Sequence, residues 1–207
     1  MSVFERLFAA VYDPVMASAE RGRLGAKRHE LLAGLHGDVL DVGAGTGANL
    51  AHLAATVDRL IAVEPDAAMA HRLWPRAAAH PSNVEVVVGA GAEALPLPDR
   101  CVDVAVTTLV LCTVQDPQAA VSELRRVLRP EGRLVVIEHV LDPDPRRARW
   151  QRRLTPAWRR VAHGCHLDRD TRTTLARGGF DVSEVENWEL SLRGPTVPAI
   201  SGIARVR

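Results

Sequence analysis

The chain alternates short runs of apolar residues with longer segments in which apolar residues recur at helical spacing. Runs rich in Val, Ile and Leu, such as "RLIAVE" and "GRLVVIEHV", are typical of strands that are buried on both faces of a parallel sheet. These runs cover 38–43, 59–64, 84–89, 102–109 and 132–140, and helical patterns separate them over 46–56, 66–79 and 117–128. Repeated strand–helix units predict a doubly wound α/β fold.

The pattern changes after residue 140. An Arg- and Trp-rich helical segment covers 145–162, and a second helical segment ends at Gly178 and Gly179. Two strand-like runs then follow, about 181–190 and 198–206, joined by a turn that contains Pro and Gly. They predict an antiparallel pair at one edge of the sheet, which would bring the total to about seven strands.

Composition and charge exclude several classes of protein. The 207 residues are 47% apolar and 25% charged, as in an ordinary soluble globular domain. A formal net charge of +1 gives no case for nucleic-acid binding. No apolar run reaches the ~20 residues that a bilayer requires. Three cysteines in a chain without a signal-peptide pattern predict a reduced, cytoplasmic setting.

A glycine loop, "VLDVGAGTGANL", joins the first predicted strand to a helix. Gly43, Gly45 and Gly47 would let the backbone turn sharply and approach a ligand at a helix amino terminus. The spacing fits a dinucleotide fingerprint, but it also fits an acidic-x-G-x-G-x-G pattern that begins at Asp41. Glu64 suits both, since an acid there can hold ribose hydroxyls. Asp41 favours S-adenosylmethionine, because a carboxylate would repel pyrophosphate and attract a cationic amine.

Four segments in order carry a resemblance to a known family: "VLDVGAGTG", "IAVEPDAAM", "GAEALPLPDRCVDV" and "AAVSELRRVLRPEGRLVVIE". They resemble the successive motifs of class I S-adenosylmethionine-dependent methyltransferases, particularly those that act on small molecules and quinones. The likeness covers residues 38–140. It implies a Rossmann-like fold, S-adenosylmethionine as cofactor, S-adenosylhomocysteine as product and a small-molecule acceptor.

The resemblance also implies roles for individual residues. The loop glycines would wrap the methionine part of the cofactor, Asp41 would hold its amine and Glu64 its ribose. Met69 would pack on the adenine, and Ala92 would donate a backbone N–H to the adenine edge. Many relatives have Asp where Gly91 stands, so a carboxylate contact is not expected there. The expected cofactor-binding residues are Asp41, Gly43, Ala44, Gly45, Gly47, Asn49, Glu64, Pro65, Met69, Ala92, Glu93, Thr108 and Leu109.

A narrower resemblance lies in "TLVLCTV", "EHV", "WQRRLTPAWRRVAHGCHLDRDT" and "VPAISGIARVR". These segments are similar to the microsomal alkyl-thiol S-methyltransferases and their bacterial relatives, which implies a thiol acceptor. Two departures are the membrane helix that begins the microsomal proteins, which has no counterpart here, and His163, whose position is commonly acidic there. The alternatives left open are O-, N- or C-methylation of a quinone, phospholipid or natural product, a non-catalytic cofactor-binding module, and a nicotinamide oxidoreductase.

His139 is the first candidate for a general base. It follows the carboxyl end of a central predicted strand, where open α/β sheets bind their ligands. Its neighbour Glu138 could fix the imidazole tautomer or act alone. A thiol has a pKa near ~8.5, so a neutral imidazole would suffice to hold it as thiolate. The alternative is a purely structural histidine at a strand end. The expected catalytic residues are therefore His139 and Glu138.

The stretch "VAHGCHLDRD" places Cys165 between His163 and His166. Zinc sites have recurring ligand pairs, and this stretch has no second pair. Direct transfer from a sulfonium needs no nucleophilic enzyme group, so covalent catalysis is not expected either. We therefore predict no metal and assign the stretch to the wall of the acceptor pocket. The expected substrate-binding residues are Tyr12, Cys112, His163, Cys165 and His166.

The sequence thus predicts one methyltransferase domain over residues 1–207. Its parts are a helical docking segment (1–35), a cofactor-binding core (38–140), a lid and acceptor insertion (141–180) and the strand pair (181–207). Within the insertion, residues 146–160 hold seven arginines, two tryptophans and no acid. This composition is typical of a solvated helix face or of a lid in peripheral contact with anionic substrate or a membrane surface. No obligate protein partner is expected.

Overall fold

The structure is a computed structural model that describes residues 3–53, 56–80, 83–191 and 196–207. Two helices come first, α1 (Val3–Glu20) and α2 (Arg23–Leu32). The central elements are β1 (Asp38–Val42), α3 (Leu50–Leu53), β2 (Arg59–Glu64), α4 (Ala67–Ala78), β3 (Val84–Val88), β4 (Val102–Thr108), α5 (Pro117–Val127) and β5 (Leu128–His139). The last elements are α6 (Pro145–Val161), α7 (Thr171–Arg177), β6 (Phe180–Ser191) and β7 (Thr196–Val206).

The strands form one seven-stranded sheet in the order β3-β2-β1-β4-β5-β7-β6. Strands β1 to β5 pair in parallel, whereas β7 lies antiparallel between β5 and β6. The predicted mostly parallel, doubly wound sheet with an antiparallel C-terminal pair is confirmed. The strand order reverses direction between β1 and β4, and the crevice at the carboxyl ends of these strands is where open α/β sheets bind ligands.

Both faces of the central strands are buried, which explains their unbroken apolar sequence. Along β4, Val104 and Val106 face one core cluster, and Ala105 between them faces the other. The first cluster includes Leu73 of α4, and the second includes Leu124 of α5. Each fully buried side chain of this size stabilises the fold by roughly 1.5–3 kcal/mol. The two helical layers therefore hold the sheet rigid beneath its carboxyl edge.

Two sequence predictions of element bounds are wrong. The helix expected over 46–56 does not begin until Leu50, because residues 46–49 form turns; residues 54–55 of this prediction lie outside the described residues. The glycines of the preceding loop have φ between 59° and 91°, outside the helical region. Strand β5 begins at Leu128 rather than at 132. A register shift pairs Leu128 with Val102 but Arg133 with Val104, which accommodates the extra residues.

None of the helices in the described part of the chain is both long enough and apolar enough to cross a membrane.

Candidate active site

Glu64 fastens the glycine loop at the carboxyl edge of the sheet. One of its carboxylate oxygens accepts a hydrogen bond from the Gly45 N–H (2.7 Å) and the other from the Asp66 N–H (2.8 Å). Burial raises the pKa of Glu64 to about 7 against the effect of these two hydrogen bonds. The residue stands at the end of β2, the position expected for a ribose-binding acid.

The three loop glycines serve different purposes. A Cβ on Gly43 would lie 2.7 Å from a methyl of Val110, and one on Gly47 would lie 2.7 Å from a methyl of Leu50. These two positions lack a side chain because the protein packs against them. A Cβ on Gly45 would meet nothing closer than the Met69 methyl at 3.7 Å. Gly45 is therefore the glycine that faces space where a ligand can approach.

Asp41 is a fully buried carboxylate at the end of β1. Its Oδ1 accepts a hydrogen bond from the Asn49 amide (2.7 Å), and the Asn49 oxygen accepts one from Arg28. Arg28 in turn pairs with Glu20 (2.7 Å). Asp41 Oδ2 is buried and has no hydrogen-bond partner among the described residues. Burial raises the pKa of this carboxyl to about 6.

This unpartnered oxygen fits the cofactor that the sequence predicts. A buried acceptor left without a donor is costly, and the amine of S-adenosylmethionine would supply both a donor and a positive charge. Asn49 was expected among the cofactor contacts. In the structure its side chain donates to Asp41 and accepts from Arg28, so it positions Asp41, and its contact with the cofactor stays a prediction.

Helix α1 closes over the glycine loop. Asp13 accepts hydrogen bonds from Thr46 (2.6 Å) and Arg76 (2.6 Å), and Arg76 also donates to the Thr46 carbonyl (2.8 Å). Phe8 and Tyr12 of α1 pack against a small cluster that contains Met69. The sequence indicated Tyr12 and Met69 but missed Asp13, Arg28 and Arg76. Single charges on amphipathic helices carry no signal that they point inward.

The expected adenine side lies after β3. Ala92 is buried, and Glu93 accepts a hydrogen bond from the Gln115 N–H (2.8 Å). A Cβ on Gly91 would come within 3.0 Å of the other Glu93 oxygen, so Glu93 occupies the space next to this glycine. Pro65 is exposed and Ala44 is buried beside the same edge of the sheet. Their assignment to the cofactor stays a prediction.

The turn that follows β4 is held by Glu138. The N–H groups of Val110 and Leu111 donate to one Glu138 oxygen (2.8 and 2.9 Å), and that of Cys112 donates to the other (3.3 Å). Burial raises the pKa of Glu138 to about 7. Leu109, at φ 60°, begins the turn, and the buried Thr108 hydroxyl has no partner among the described residues. The carboxylate was expected to orient His139 or act as a base; in the structure it holds the backbone of this turn and also contacts the Cys112 thiol, and its expected role stays a prediction.

Cys112, His139 and Cys165 form a cluster at the carboxyl ends of β4 and β5. His139 Nε2 lies 2.8 Å from Cys165 Sγ, which lies 3.9 Å from Cys112 Sγ. The hydrogen bond from Cys112, together with that from His139, lowers the pKa of Cys165 to about 4. Burial alone would lower the pKa of His139, but the hydrogen bond to Cys165 and its charge raise it. The cluster thus favours a thiolate beside an imidazolium.

The two histidines that flank Cys165 lie apart from this pair. His163 stacks on Phe8 with ring centroids 4.8 Å apart, and its Nε2 lies 3.1 Å from Asp66 Oδ2. His166 donates its backbone N–H to the Cys112 carbonyl (2.7 Å). The insertion therefore contacts α1, the start of α4 and the turn after β4. His163 was expected at the acceptor; its contacts in the structure are with α1 and the start of α4, and its role stays a prediction.

Comparisons with known proteins agree with this geometry. Residues 40–136 match the family described as "Methyltransferase domain". Human thiol S-methyltransferase TMT1B is 34% identical over 202 residues, covering 92% of this chain and 82% of the human protein. Its rat counterpart is 35% identical over 154 residues, covering 73% of this chain and 62% of the rat protein. A SAM-dependent methyltransferase structure from Thermotoga maritima matches all of both chains with a TM-score of 0.69 at 21% identity.

The fold and the site together define a class I S-adenosylmethionine-dependent methyltransferase. Within that class, the chain belongs to the family that contains the thiol S-methyltransferase TMT1B. The predicted fold, enzyme class and cofactor are thereby confirmed. The individual site residues and the domain bounds stay predictions.

Proposed function

We propose that this enzyme transfers the methyl group of S-adenosylmethionine to the sulfur of a small thiol. One observation carries the proposal: the Cys112–His139–Cys165 cluster lies directly beside the cofactor loop. Val110, two residues before Cys112, packs against Gly43. The cluster therefore shares one edge of the sheet with Asp41 and the loop. The name of the curated relatives, thiol S-methyltransferase, supports the same acceptor.

The residues around the glycine loop have two tasks in this mechanism: they bind S-adenosylmethionine and they exclude water. The bound cofactor supplies a methyl group on a positively charged sulfur, which an acceptor can attack without a covalent enzyme intermediate. Asp41 would hold the cofactor amine and Glu64 the ribose, while Gly45 leaves room for close approach. Helix α1, tied to the loop through Asp13 and Thr46, would keep water out. Alignment of the acceptor with the methyl group would then provide most of the rate enhancement.

The acceptor side has to produce a thiolate. A free thiol with a pKa near ~8.5 is mostly protonated at neutral pH. The cluster already stabilises a thiolate at Cys165 through its neighbours Cys112 and His139. An acceptor thiol bound beside the same imidazole would be stabilised in the same way. In protein without a metal, the Cys165–His139 pair is placed to take the proton, and Glu138 holds the adjoining turn.

An acceptor panel tests the proposal. Purified enzyme and S-adenosylmethionine are incubated with a small alkyl thiol, a phenol, a primary amine, a quinol and a phospholipid amine, and release of S-adenosylhomocysteine is measured. We expect kcat/KM for the thiol to exceed that for every other acceptor by at least about tenfold. A higher value for any oxygen, nitrogen or carbon acceptor would contradict the assignment. The thiol product is identified by mass as the methyl thioether.

We also propose that α6 makes peripheral contact with an anionic membrane surface. Trp150, Leu154 and Val161 are exposed by 62%, 52% and 62% on a helix whose sequence carries seven arginines. Helices that lie in a membrane interface combine such an apolar face with basic residues.

The double variant Trp150→Ala/Leu154→Ala should sediment less with anionic vesicles than wild type. Trp74→Ala, which removes a half-exposed tryptophan from α4, is the control. Equal sedimentation of both variants would overturn the proposal. The cytoplasmic location stays a prediction.

A further inference from the structure

We propose that Cys112, His139 and Cys165 form a Zn²⁺ site whose fourth position binds the acceptor thiol as thiolate. The proposal rests on the function proposed above and assigns the cluster a more specific part in it. No metal was expected from the sequence, because the ligands missing near Cys165 come from two other segments of the chain. The fold brings together the end of β5, the turn after β4 and the segment after α6.

The separations within the cluster suit zinc. The three ligand atoms all lie within 4.8 Å of one another. A tetrahedral centre with Zn–S bonds of about 2.3 Å holds its two sulfurs about 3.8 Å apart, and Cys112 Sγ and Cys165 Sγ lie 3.9 Å apart. His139 Nε2 lies 2.8 Å from Cys165 Sγ, closer than the roughly 3.6 Å that such a centre needs. The third separation, between Cys112 Sγ and the His139 ring nitrogen, is at most 4.8 Å, against the same value of roughly 3.6 Å. A shift of the His139 ring by about 1 Å, away from Cys165 and toward Cys112, would accommodate the ion. Two sulfurs and one imidazole are ligands that zinc prefers.

The backbone around each ligand is fixed. Cys112 donates its N–H to Glu138 and accepts a hydrogen bond at its carbonyl from His166. That second contact joins the segment of Cys165 to the turn that carries Cys112. His139 is the last residue of β5 and lies in register with Ala199 of β7. Such secondary contacts orient metal ligands before the ion binds and raise its affinity.

The protein supplies three ligands and leaves the fourth position free. In the described ranges, no other histidine, cysteine or carboxylate joins the group of potential ligand atoms. Glu138 lies beside the Cys112 thiol, but both of its oxygens accept hydrogen bonds from backbone N–H groups. His163, close in sequence, is paired with Asp66. Zinc held by three protein ligands keeps its fourth position for water or substrate, which is the pattern of catalytic sites.

Methyl transfer at such a site accounts for every proton, bond and electron pair. The acceptor thiol displaces water from the zinc and releases its proton to solvent, because the ion stabilises the thiolate. The thiolate sulfur forms a bond to the methyl carbon, while the bond between that carbon and the cofactor sulfonium breaks. The bonding electron pair stays on the cofactor sulfur and yields S-adenosylhomocysteine. The methyl thioether is a weak neutral ligand, so water replaces it. In this step His139 is a ligand rather than the base.

Cobalt(II) substitution tests the site without any activity measurement. Metal-free protein, reduced with a phosphine in thiol-free buffer, is titrated with Co²⁺ and followed by absorption. We expect one ion per chain, visible bands of a tetrahedral centre and a near-ultraviolet thiolate-to-cobalt band. Cys112→Ser and Cys165→Ser should each lose about half of that band, since each removes one of two sulfur ligands. Cys101→Ser is the matched control and should keep it, because Cys101 precedes β4 at the opposite edge of the sheet.

Two further measurements distinguish failure of the proposed metal site from failure of the proposed function. Addition of 2-mercaptoethanol should raise the thiolate-to-cobalt band by about half, because a third sulfur joins the ion. A missing band, a band that survives both cysteine variants, or a band that ignores the added thiol would overturn the inference. Full thiol methylation by chelated, zinc-free enzyme would do the same while leaving the proposed function intact. Failure of thiol methylation despite the expected spectra would refute the function but leave the metal site standing.

Binding of S-adenosylhomocysteine, measured by calorimetry, confirms that each variant is folded. Cys112 is buried, so its substitution carries a larger risk to the fold than that of Cys165, which is only partly buried. If Cys112→Ser does not fold, Cys165→Ser alone decides the outcome.

Discussion

The cofactor side and the acceptor side of this enzyme are built on different principles. On the cofactor side, Asp41 and Glu64 end two successive strands, and each accepts a hydrogen bond from the segment between them, Asp41 from Asn49 and Glu64 from Gly45. On the acceptor side, Cys112, His139 and Cys165 come from three segments that meet only after the sheet and the insertion have folded. The cofactor-side residues lie close together in the sequence, so a sequence motif can identify them. The acceptor-side residues are far apart in the sequence, so only the folded structure shows that they form one cluster.

The two sides also differ in electrostatics. The cofactor side holds buried carboxylates whose pKa values are raised, and Asp41 keeps one oxygen without a partner. A positively charged group of the ligand would therefore be favourable on the cofactor side. On the acceptor side, the hydrogen bonds from Cys112 and His139 lower the pKa of Cys165, and the contact with Cys165 raises the pKa of His139 against the effect of burial, which favours opposite charges on the two groups. That side is suited to hold a second sulfur or a metal ion. Separate variants should therefore disable binding of the cofactor and turnover of the acceptor independently.

The largest effect is expected from His139→Gln. Whether His139 acts as base or as metal ligand, its loss should lower kcat for thiol methylation by about 10²- to 10⁴-fold. Affinity for S-adenosylhomocysteine, measured by calorimetry, should stay within about twofold, because Gly45 and Asp41 are untouched. His36→Gln, a change of an exposed histidine before β1, is the control. If cofactor affinity falls together with kcat, the two sides are not separable.

The substitution Asp41→Asn should weaken cofactor binding rather than turnover of the acceptor. The substitution keeps the shape of the side chain and an oxygen that can accept the Asn49 hydrogen bond, but it removes the charge. A hydrogen bond to a charged group is worth about 1.5–3 kcal/mol, so affinity for S-adenosylmethionine should fall by roughly 10- to 100-fold. Asp38→Asn, on the same strand but paired with Arg129 at the far edge, should leave affinity unchanged. Equal affinity in both variants would remove Asp41 from the cofactor site.

The pH dependence of Asp41 should have opposite signs for stability and binding. Its pKa in the folded protein is raised from 3.8 to about 6, so the folded state holds the proton more tightly than the unfolded state. The resulting stabilisation is fully present below pH 3.8 and is lost as the pH rises through about 6, a change of roughly 2–3 kcal/mol. Cofactor binding favours the ionised carboxylate, so affinity should rise over the same interval.

Urea unfolding of wild type and Asp41→Asn between those two pH values checks this prediction. The variant should gain stability relative to wild type as the pH rises, since its side chain stays neutral. A constant difference between the two proteins would show that Asp41 ionises normally.

Gly47→Ala separates packing from ligand binding within the loop. Gly47 has φ 91°, and its added Cβ would lie 2.7 Å and 2.9 Å from methyls of Leu50 and Leu73. We expect a loss of about 2 kcal/mol in the free energy of unfolding, from strain and overpacking. Gly34→Ala, at a position where an added Cβ meets nothing within 4 Å, should change stability by less than about 0.5 kcal/mol. Denaturant titration compares the two, and similar losses would refute the packing role.

Most of the sheet was predictable, because strands buried on both faces have continuously apolar sequences. The extent of α3 was not, since the positive φ values that keep residues 46–49 out of the helix depend on the packing of Gly47 and Gly43. The contact between His139 and Cys165 was not predictable either. The sequence places His163 and His166 nearer to Cys165, and only the tertiary path of the insertion brings His139 to it.

The smallest effect is expected from His163→Ala, which tests whether His163 belongs to the cofactor side or to the acceptor side. Its ring stacks on Phe8 and pairs with Asp66, so it joins the insertion to α1 and to the start of α4. A stacked aromatic pair contributes about 0.5–1.5 kcal/mol, and a half-exposed ion pair adds little. If these contacts close over the cofactor, as we propose, His163→Ala should weaken binding of S-adenosylhomocysteine by about two- to tenfold.

The KM of the thiol acceptor should change less than cofactor affinity in this variant, because the His163 ring contacts neither Cys112 nor His139. His71→Ala, which removes an exposed histidine from α4, is the control for a general effect of losing an imidazole. Calorimetry and steady-state kinetics on both variants give the two numbers. The opposite pattern, a raised acceptor KM with unchanged cofactor affinity, would return His163 to the acceptor pocket where the sequence placed it. It would also mean that the insertion closes over the acceptor alone, with Phe8 serving only to hold the lid against α1.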